Sequence, residues 1–190
     1  MREELDNLLC SKYPKIFKDR HASIRDSAMY YGFPDGDGWF KIIDQLCSNI
    51  QKHIDHRIDH NDRCKGEVKL REACKQGDWS EFDNIYSYWR DNDPSHYQRK
   101  REEIFQPVPH WLEEKPEIPQ VVAQQVKQKF GRLCFYVTGG DDHIRGLITM
   151  AESMSAVMCE ECGALAQSTR TETGWLRTLC TEHAKPKDSK

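Results

Sequence analysis

The chain has 190 residues, of which 37% are hydrophobic and 31% are charged, and its formal net charge is −3. This length allows one main domain with a small appendage and a real hydrophobic core. The negative net charge excludes a general attraction to nucleic-acid backbones, so nucleic-acid binding would require a local basic patch. No segment has the pattern of a signal peptide or a membrane span, and we therefore expect a cytosolic protein.

The first 60 residues are predicted to be the helical part of a core. A short amphipathic helix is expected over residues 2–11. A turn at residues 35–38 then precedes a long helix, with Asp37 as its N-cap. Apolar residues recur every three or four positions in this helix, which predicts one buried face and an end near Asn61. These residues are Trp39, Ile43, Leu46, Ile50, Ile54 and Ile58.

Residues 61–118 are interpreted as an inserted middle region. Two helices are predicted in its first part, separated at Gly77 and Asp78, and a proline-rich connector is predicted after them. Core packing is the favoured interpretation of its aromatic side chains, with a protein-binding or base-stacking surface as the alternative, and its basic run at residues 99–101 is interpreted as solvated, with contact to phosphates or an acidic partner as the alternative. The candidates for this surface are Trp79, Phe82, Tyr86, Trp89, Arg99 and Arg101.

Residues 119–157 are predicted to complete the core as a helix, a strand and a second helix. Pro119 suits the first turn of a helix, and Gly131 suits a left-handed residue at its end. The strand is expected over residues 133–137. A turn at residues 139–142 leads into the second helix, and its two aspartates favour helix capping over a phosphate site because they would repel an anion.

Residues 158–185 carry the strongest signal in the sequence. Two pairs of metal-binding residues, each with two residues between its members, are separated by residues 163–179, a spacing typical of structural zinc sites. The predicted ligands of one zinc ion are Cys159, Cys162, Cys180 and His183. Four protein ligands leave no open position for a substrate water, so this metal is expected to be structural. The acids between the ligands, Glu160, Glu161 and Glu182, are expected to face solvent.

Three weaker signals have ordinary structural explanations. His53, His56 and His60 lie at helical spacing and suggest either a second metal site or a partly packed histidine face. The Asp-Gly-Asp-Gly turn at residues 35–38 lacks the ligand pattern of a calcium loop and is interpreted as a turn. Residues 186–190 form a basic tail that is interpreted as solvated.

Four separate segments carry a resemblance. In chain order they are GDGWFKIIDQLCSNI (36–50), FGRLCFYVTGG (130–140), IRGLITMAESMSAVMCEECG (144–163) and TLCTEH (178–183). They resemble a group of small tailed-bacteriophage proteins with a C-terminal CxxC…CxxH motif, and the resemblance covers residues 1 to about 60 and 119–185. The chain departs from that pattern at Cys134, where the similar proteins often have arginine. The resemblance implies expression in an infected bacterium and an accessory role, and it supplies no catalytic residues.

The sequence therefore predicts an α+β protein that is predominantly helical, with a small β element and a C-terminal module like a zinc ribbon or knuckle. The leading functional hypothesis is a non-enzymatic phage accessory protein that binds and inhibits a host or antiviral-defence protein in the bacterial cytoplasm. One alternative is a nucleic-acid-binding zinc protein in phage regulation or replication. Another is a sponge or a hydrolase for a nucleotide immune signal.

Overall fold

A computed structural model describes residues 1–34 and 36–185. About half of the residues are helical, and two small antiparallel sheets are present, which confirms the predicted α+β class. The chain divides into two compact units. The core unit comprises Met1–Ile54 and the chain from Ile118 onward, and the middle unit comprises Asp55–Glu117.

The N-terminal part of the core unit contains helix α1 (Glu3–Lys12) and two short 3-10 turns, Ala28–Tyr31 and Asp37–Trp39. The prediction that Asp37 caps the long helix is wrong, because its carboxylate accepts hydrogen bonds from Arg2 instead. The Arg2 backbone N–H donates at 2.7 Å and its guanidinium at 2.5 Å. The second 3-10 turn leads directly into the long helix.

Helix α2 extends over Phe40–Lys75, so the prediction that it ends near Asn61 is wrong. Some of the buried positions of α2 beyond Ile54 are polar, so the apolar residues alone do not show that the helix continues. Asn61 is 5% exposed, and its amide both donates to and accepts from the backbone of Lys115, at 2.8 and 2.9 Å. Arg71 is 7% exposed and donates to the carbonyl groups of Glu103 and Gln106.

Residues 119–131 do not form the predicted helix. Strand β1 (Val122–Lys129) instead pairs antiparallel with β2 (Arg132–Thr138), and Phe130 and Gly131 form the turn between them with φ angles of 54° and 78°. Val122 and Val126 are four residues apart, which fits the helical period, but a register shift between Ala123 and Gln125 puts them opposite Thr138 and Phe135, on different sides of the hairpin. Two successive positive φ angles are typical of a two-residue hairpin turn, which explains Gly131 without a helix end.

Helix α6 (Asp142–Ser155) follows the hairpin and covers the free edge of β2. The Asp141 carboxylate accepts from the Ile144 N–H at 3.0 Å, which confirms the predicted helix capping. Ser155 Oγ and Glu152 Oε1 accept from the backbone N–H groups of Leu133 and Phe135, each at 2.9 Å. These bonds satisfy the edge donors that an open strand would leave free.

One continuous hydrophobic cluster fills the core unit. It combines residues of α1, α2, the β1–β2 hairpin and α6. Its largest fully buried members are Trp39, Leu9, Ile16, Met29, Ile43, Ile50, Ile54, Leu133, Ile144, Val121 and Val126. The predicted inner face of the long helix is confirmed as far as Ile54, whereas Ile58 is 47% exposed.

The middle unit is formed by the C-terminal part of α2 with three short helices, α3 (Ser80–Ile85), α4 (Ser87–Asn92) and α5 (Pro94–Glu103). The last of these lies where the sequence predicted a connector. Pro94 occupies the first turn of α5, where its missing N–H costs nothing, and Asp93 caps the helix by accepting from the His96 N–H. Pro94 therefore begins a helix at a position where the high proline content predicts a connector.

Candidate metal centre

A small hairpin near the C-terminus brings the two cysteine-containing segments together. Strand β3 (Gln167–Arg170) pairs antiparallel with β4 (Leu176–Leu179), as predicted for the stretch between the two pairs. Cys180 follows β4 directly. Cys159 follows the end of α6, and the carbonyl of its neighbour Met158 accepts from buried Trp39. The ligands are thus supplied by two segments whose positions are fixed by the sheet and by the core.

The four predicted ligand residues form one compact cluster. Their ligand atoms all lie within 4.8 Å of one another. The Cys162 and Cys180 sulfurs are 3.8 Å apart, and His183 Nδ1 lies 3.6 Å from Cys159 Sγ and 3.1 Å from Cys180 Sγ. Cys159 and Cys180 are buried, whereas Cys162 and His183 are exposed. This arrangement can hold one metal ion at the surface of the core unit.

The backbone around the first cysteine pair folds into a tight knuckle. The Cys159 N–H donates to the Ala164 carbonyl at 2.7 Å, and the Gly163 N–H donates to the Cys159 carbonyl at 2.8 Å. Gly163 has a φ of 77°, a conformation that residues with a Cβ rarely adopt. At the second pair, the backbone N–H of His183 lowers the pKa of the Cys180 thiol, which favours the thiolate form that binds metal.

Residues 36–39 pack directly against this knuckle, a relationship that the sequence analysis missed. The Gly38 N–H donates to the Glu160 carbonyl at 2.9 Å. A Cβ on Gly38 would lie 2.0 Å from the Cys159 carbonyl oxygen, and one on Gly36 would lie 2.1 Å from the Glu160 carbonyl oxygen. Both glycines are needed for this close backbone approach, so the segment is more than a turn before α2.

Glu160 of the knuckle is buried, which corrects the expectation that it faces solvent, whereas Glu161 and Glu182 are exposed as expected. Glu160 is 2% exposed, and its carboxylate accepts from Arg177 Nε at 2.5 Å. The same guanidinium donates to Glu161 at 2.5 Å. Arg177 lies on β4, so these ion pairs connect the first ligand segment to the strand that leads to the second. Such pairs are not visible from residue spacing.

The histidines of α2 do not form a metal site together. His53 Nε2 lies 2.9 Å from the Asp141 carboxylate, and its ring stacks on His143 with 4.3 Å between centroids. His60 Nε2 lies 3.0 Å from the Glu113 carbonyl, and His56 is exposed. Within residues 1–34 and 36–185, the C-terminal cluster is the one group whose ligand atoms are close enough for a metal ion.

The candidate partner-binding residues of the middle unit divide into two groups. Phe82 is 1% exposed and forms a small core with Leu70, Cys74 and Ile104, against which Trp79 and Tyr86 pack. The Arg101 guanidinium lies 3.9 Å from the centre of a Trp79 ring, so both side chains belong to this core.

Trp89 and Arg99 are not part of this core and belong to an exposed row of side chains. Trp89 is 40% exposed, and its ring centre lies 5.3 Å from that of Tyr88 and 4.4 Å from that of His96. The Arg99 guanidinium lies 3.4 Å from His96 Nδ1. We refer to Tyr88, Trp89, His96 and Arg99 as the aromatic row.

Two predicted features fall on residues that the structure does not describe. Asp35 of the turn at residues 35–38 lies outside the described residues, and so does the basic tail at residues 186–190. Among the helices that the structure describes, none is long and apolar enough to cross a membrane.

Comparison of this chain with protein-family models, with curated proteins and with solved structures finds no match.

Proposed function

We propose that the C-terminal cluster holds one structural zinc ion in a module like a zinc ribbon. Zinc–sulfur bonds of about 2.3 Å in a tetrahedron give sulfur–sulfur distances of about 3.8 Å. The Cys162–Cys180 distance of 3.8 Å equals this edge and the Cys159–His183 distance of 3.6 Å is close to the shorter sulfur–nitrogen edge, whereas the Cys180–His183 distance of 3.1 Å is shorter than that edge. Three thiolates and one imidazole form a donor set typical of zinc, and they complete its coordination without a substrate position.

We further propose that the protein is a phage accessory protein that acts in the infected bacterium by binding, and thereby inhibiting, a host or defence protein. The sequence resemblance supplies the phage setting of this proposal, and the observation that supports protein binding is the aromatic row on the middle unit. Tyrosine, tryptophan and arginine are the side chains that most often dominate the energy of protein interfaces. Here Tyr88, Trp89 and Arg99 are exposed, while a separate set of residues forms the small core of the unit.

The contacts within the row favour binding because they restrict the side chains before a partner arrives. Trp89 meets the Tyr88 ring edge-on and lies against the tilted His96 ring, and Arg99 contacts His96 in turn. Fewer rotamers are then lost on association, which reduces the entropic cost of forming the interface. An exposed tryptophan that is already ordered is thus suited to enter a pocket on another protein.

The test is capture from bacterial lysate with the full-length zinc-loaded chain, followed by affinity measurement with each captured protein after purification. Trp89→Ala is expected to weaken the specific interaction about 30-fold or more, the range found for central aromatic residues in interfaces. Trp111→Ala is the matched control, because Trp111 is 63% exposed in the same unit but is not part of the row.

Equal affinity of the wild-type chain and the Trp89→Ala variant for every captured protein would refute the role of the row. Repeated capture of no protein would refute the binding proposal itself. Native mass spectrometry of the same preparation measures the metal, with one zinc per chain expected. A nucleotide retained in that measurement would replace the protein-binding proposal with the nucleotide-signal alternative.

A further inference from the structure

The outer face of the β1–β2 hairpin carries a set of side chains that neither the metal nor the hydrophobic core uses. Three cross-strand pairs point to this face, because the ladder alternates between its two sides. They are Gln125 with Tyr136, Lys127 with Cys134, and Lys129 with Arg132. The opposite side, represented by Val126, Leu133 and Phe135, is buried in the core. We call the outer side the hairpin face.

The charged residues of the hairpin itself are all basic, although the chain as a whole is negative. Residues 118–140 contain no Asp or Glu, whereas the full sequence has 31 of them. Lys127, Lys129 and Arg132 are the charged residues of this stretch. None of the three forms an ion pair with a carboxylate of the described part of the chain. Their charges are therefore available to an external anion.

Two aromatic rings accompany these cations. Tyr136 is 45% exposed, and Lys127 Nζ lies 5.3 Å from its ring centre. Phe130, at the tip of the hairpin, is 71% exposed, and Lys129 Nζ lies 5.5 Å from its ring centre. Each ring thus has one open side and a cation beside it, the combination that binds the bases and phosphates of single-stranded nucleic acids.

The conformation of Phe130 points to a role other than folding. Its φ of 54° is favourable for glycine or asparagine and strained for a bulky aromatic residue. Burial does not compensate for this strain, because most of the ring is in contact with solvent. Strain of this kind is often found where a side chain has a binding function.

The edges of the hairpin are less suitable for binding than its face. The outward N–H groups of Leu133 and Phe135 on β2 are bonded to side chains of α6, and the Ala123 N–H on β1 donates to the Ile16 carbonyl at 2.8 Å. Thr178 Oγ1 also donates to the Gly131 carbonyl at 2.5 Å, which fixes the tip. An added strand therefore finds few free partners, while the ordered face remains open.

We propose that the hairpin face binds single-stranded nucleic acid. Lys127, Lys129 and Arg132 contact phosphates, and Tyr136 and Phe130 stack on bases. This inference is independent of the proposed binding of a protein by the aromatic row. A single-stranded nucleic acid is favoured over an acidic peptide because the two exposed rings have flat faces for bases, which a carboxylate side chain does not use.

The first experiment measures binding of the full-length zinc-loaded protein to fluorescently labelled 12-nucleotide single-stranded DNA and RNA by anisotropy at several salt concentrations. Three phosphate contacts predict a slope of log K against log salt of about −2. The double variant Lys127→Gln/Lys129→Gln is expected to weaken binding at least tenfold and to bring this slope to about −0.7. The control Lys52→Gln/Lys69→Gln changes the net charge equally at exposed positions of α2 and should stay within twofold.

The aromatic contribution is tested by Tyr136→Ala, for which loss of one stacked base predicts about tenfold weaker binding. Tyr136→Phe retains the ring and should bind like the wild-type protein. Cys134→Arg places a fourth cation opposite Lys127 and should tighten binding and steepen the salt slope. Zinc content and circular dichroism of each variant establish that the fold is retained.

A final variant separates binding from stability. Phe130→Asn replaces a strained residue by one suited to the turn, so the melting temperature should rise by about 2–4 °C while nucleic-acid affinity falls. The proposal is overturned if no binding is detected at low salt, or if the control double variant loses as much affinity as the hairpin variant. It is also overturned if poly-glutamate competes fully and Tyr136→Ala has no effect, a result that would assign the face to an acidic protein.

Discussion

The metal module and the middle unit show two ways of ordering a small region that cannot build a large core. Each has a cluster of four buried hydrophobic residues. In the metal module, residues 158–185, two of the four, Cys159 and Cys180, belong to the candidate ligand cluster, so few other apolar side chains are available to order it. In the middle unit the four residues are surrounded by Trp79, Tyr86 and Tyr97, and aromatic packing takes the place of a metal. Clusters with equal numbers of buried residues can therefore be held together by very different forces.

The largest expected effect is the loss of structure in the metal module when zinc is removed. Structural zinc contributes roughly 10–16 kcal/mol of apparent binding free energy in isolated finger peptides, far more than the remaining apolar contacts can replace. Cys159→Ser or chelation should therefore abolish hydrogen-exchange protection of the β3 and β4 amides. Amides around Phe82 in the middle unit should keep their protection.

Cys134→Ser is the control for this experiment, since Cys134 lies outside the ligand cluster. If the β3 and β4 amides kept their hydrogen-exchange protection in protein shown to be free of metal, the metal module would not depend on the ion, and it would not differ from the middle unit in this respect.

The converse change is Phe82→Ala in the middle unit. Removal of a fully buried phenylalanine side chain is expected to cost about 3–5 kcal/mol, because a cavity replaces most of the packing in a cluster of four residues. The change should be measured by denaturant unfolding followed through the fluorescence of the tryptophans. Zinc content should remain one per chain.

Phe105→Ala is the matched control, because Phe105 is 62% exposed and its removal should change stability by less than about 0.5 kcal/mol. A similar loss of stability in both variants would mean that the middle unit is not ordered by its four-residue cluster.

A smaller effect is expected where the core meets the metal module. Gly38→Ala would bring a Cβ within 2.0 Å of the Cys159 carbonyl oxygen, and relieving this overlap should destabilise the protein by about 1–3 kcal/mol. It should also lower zinc affinity, which competition with a chelator can measure.

Gly66→Ala is the contrasting control, because a Cβ at this position of α2 meets nothing within 4 Å. That variant should become more stable by about 0.5–1 kcal/mol. Unchanged stability and zinc affinity in Gly38→Ala would show that the knuckle yields to the added methyl group.

The smallest expected effect concerns Arg101, whose guanidinium packs on the Trp79 ring. Arg101→Gln removes a cation–π contact and should cost about 1 kcal/mol in thermal or chemical unfolding. Arg99→Gln, at an exposed position of the same helix, should cost less than about 0.5 kcal/mol. Equal effects would indicate that general charge, rather than the ring contact, stabilises this part of the middle unit.

The sequence identified the ligand cluster because its information is local. Ligand type and the two-residue spacing within each pair are visible in a few residues, and the structure brings all four together. The inner face of α2 as far as Ile54, the second core helix and the β3–β4 hairpin were also predicted from local patterns. Each of these features follows from the periodicity or the turn residues of one segment.

Other features depend on contacts between distant segments and could not be predicted in the same way. Buried polar residues such as Asn61 and Arg71 form hydrogen bonds with backbone groups far along the chain. The apolar pattern does not include these residues, and it therefore predicts that α2 ends before it does. The four-residue spacing of Val122 and Val126 fits a helix, and the register shift that puts them on different sides of the hairpin is set only by pairing with β2. The approach of Gly38 to the knuckle has no sequence signal other than the glycine itself.

The contact of Trp39 with Met158 has a consequence for the order of events during synthesis. The indole N–H donates across 119 residues of sequence, and the neighbouring Gly38 meets a knuckle that ends at Gly163. At translation rates of about 5–20 residues per second, the start of α2 waits roughly 6–24 s for these partners to be made. During that interval the Trp39 indole lacks its final hydrogen-bond acceptor, so the start of α2 completes its packing only after the knuckle has been made.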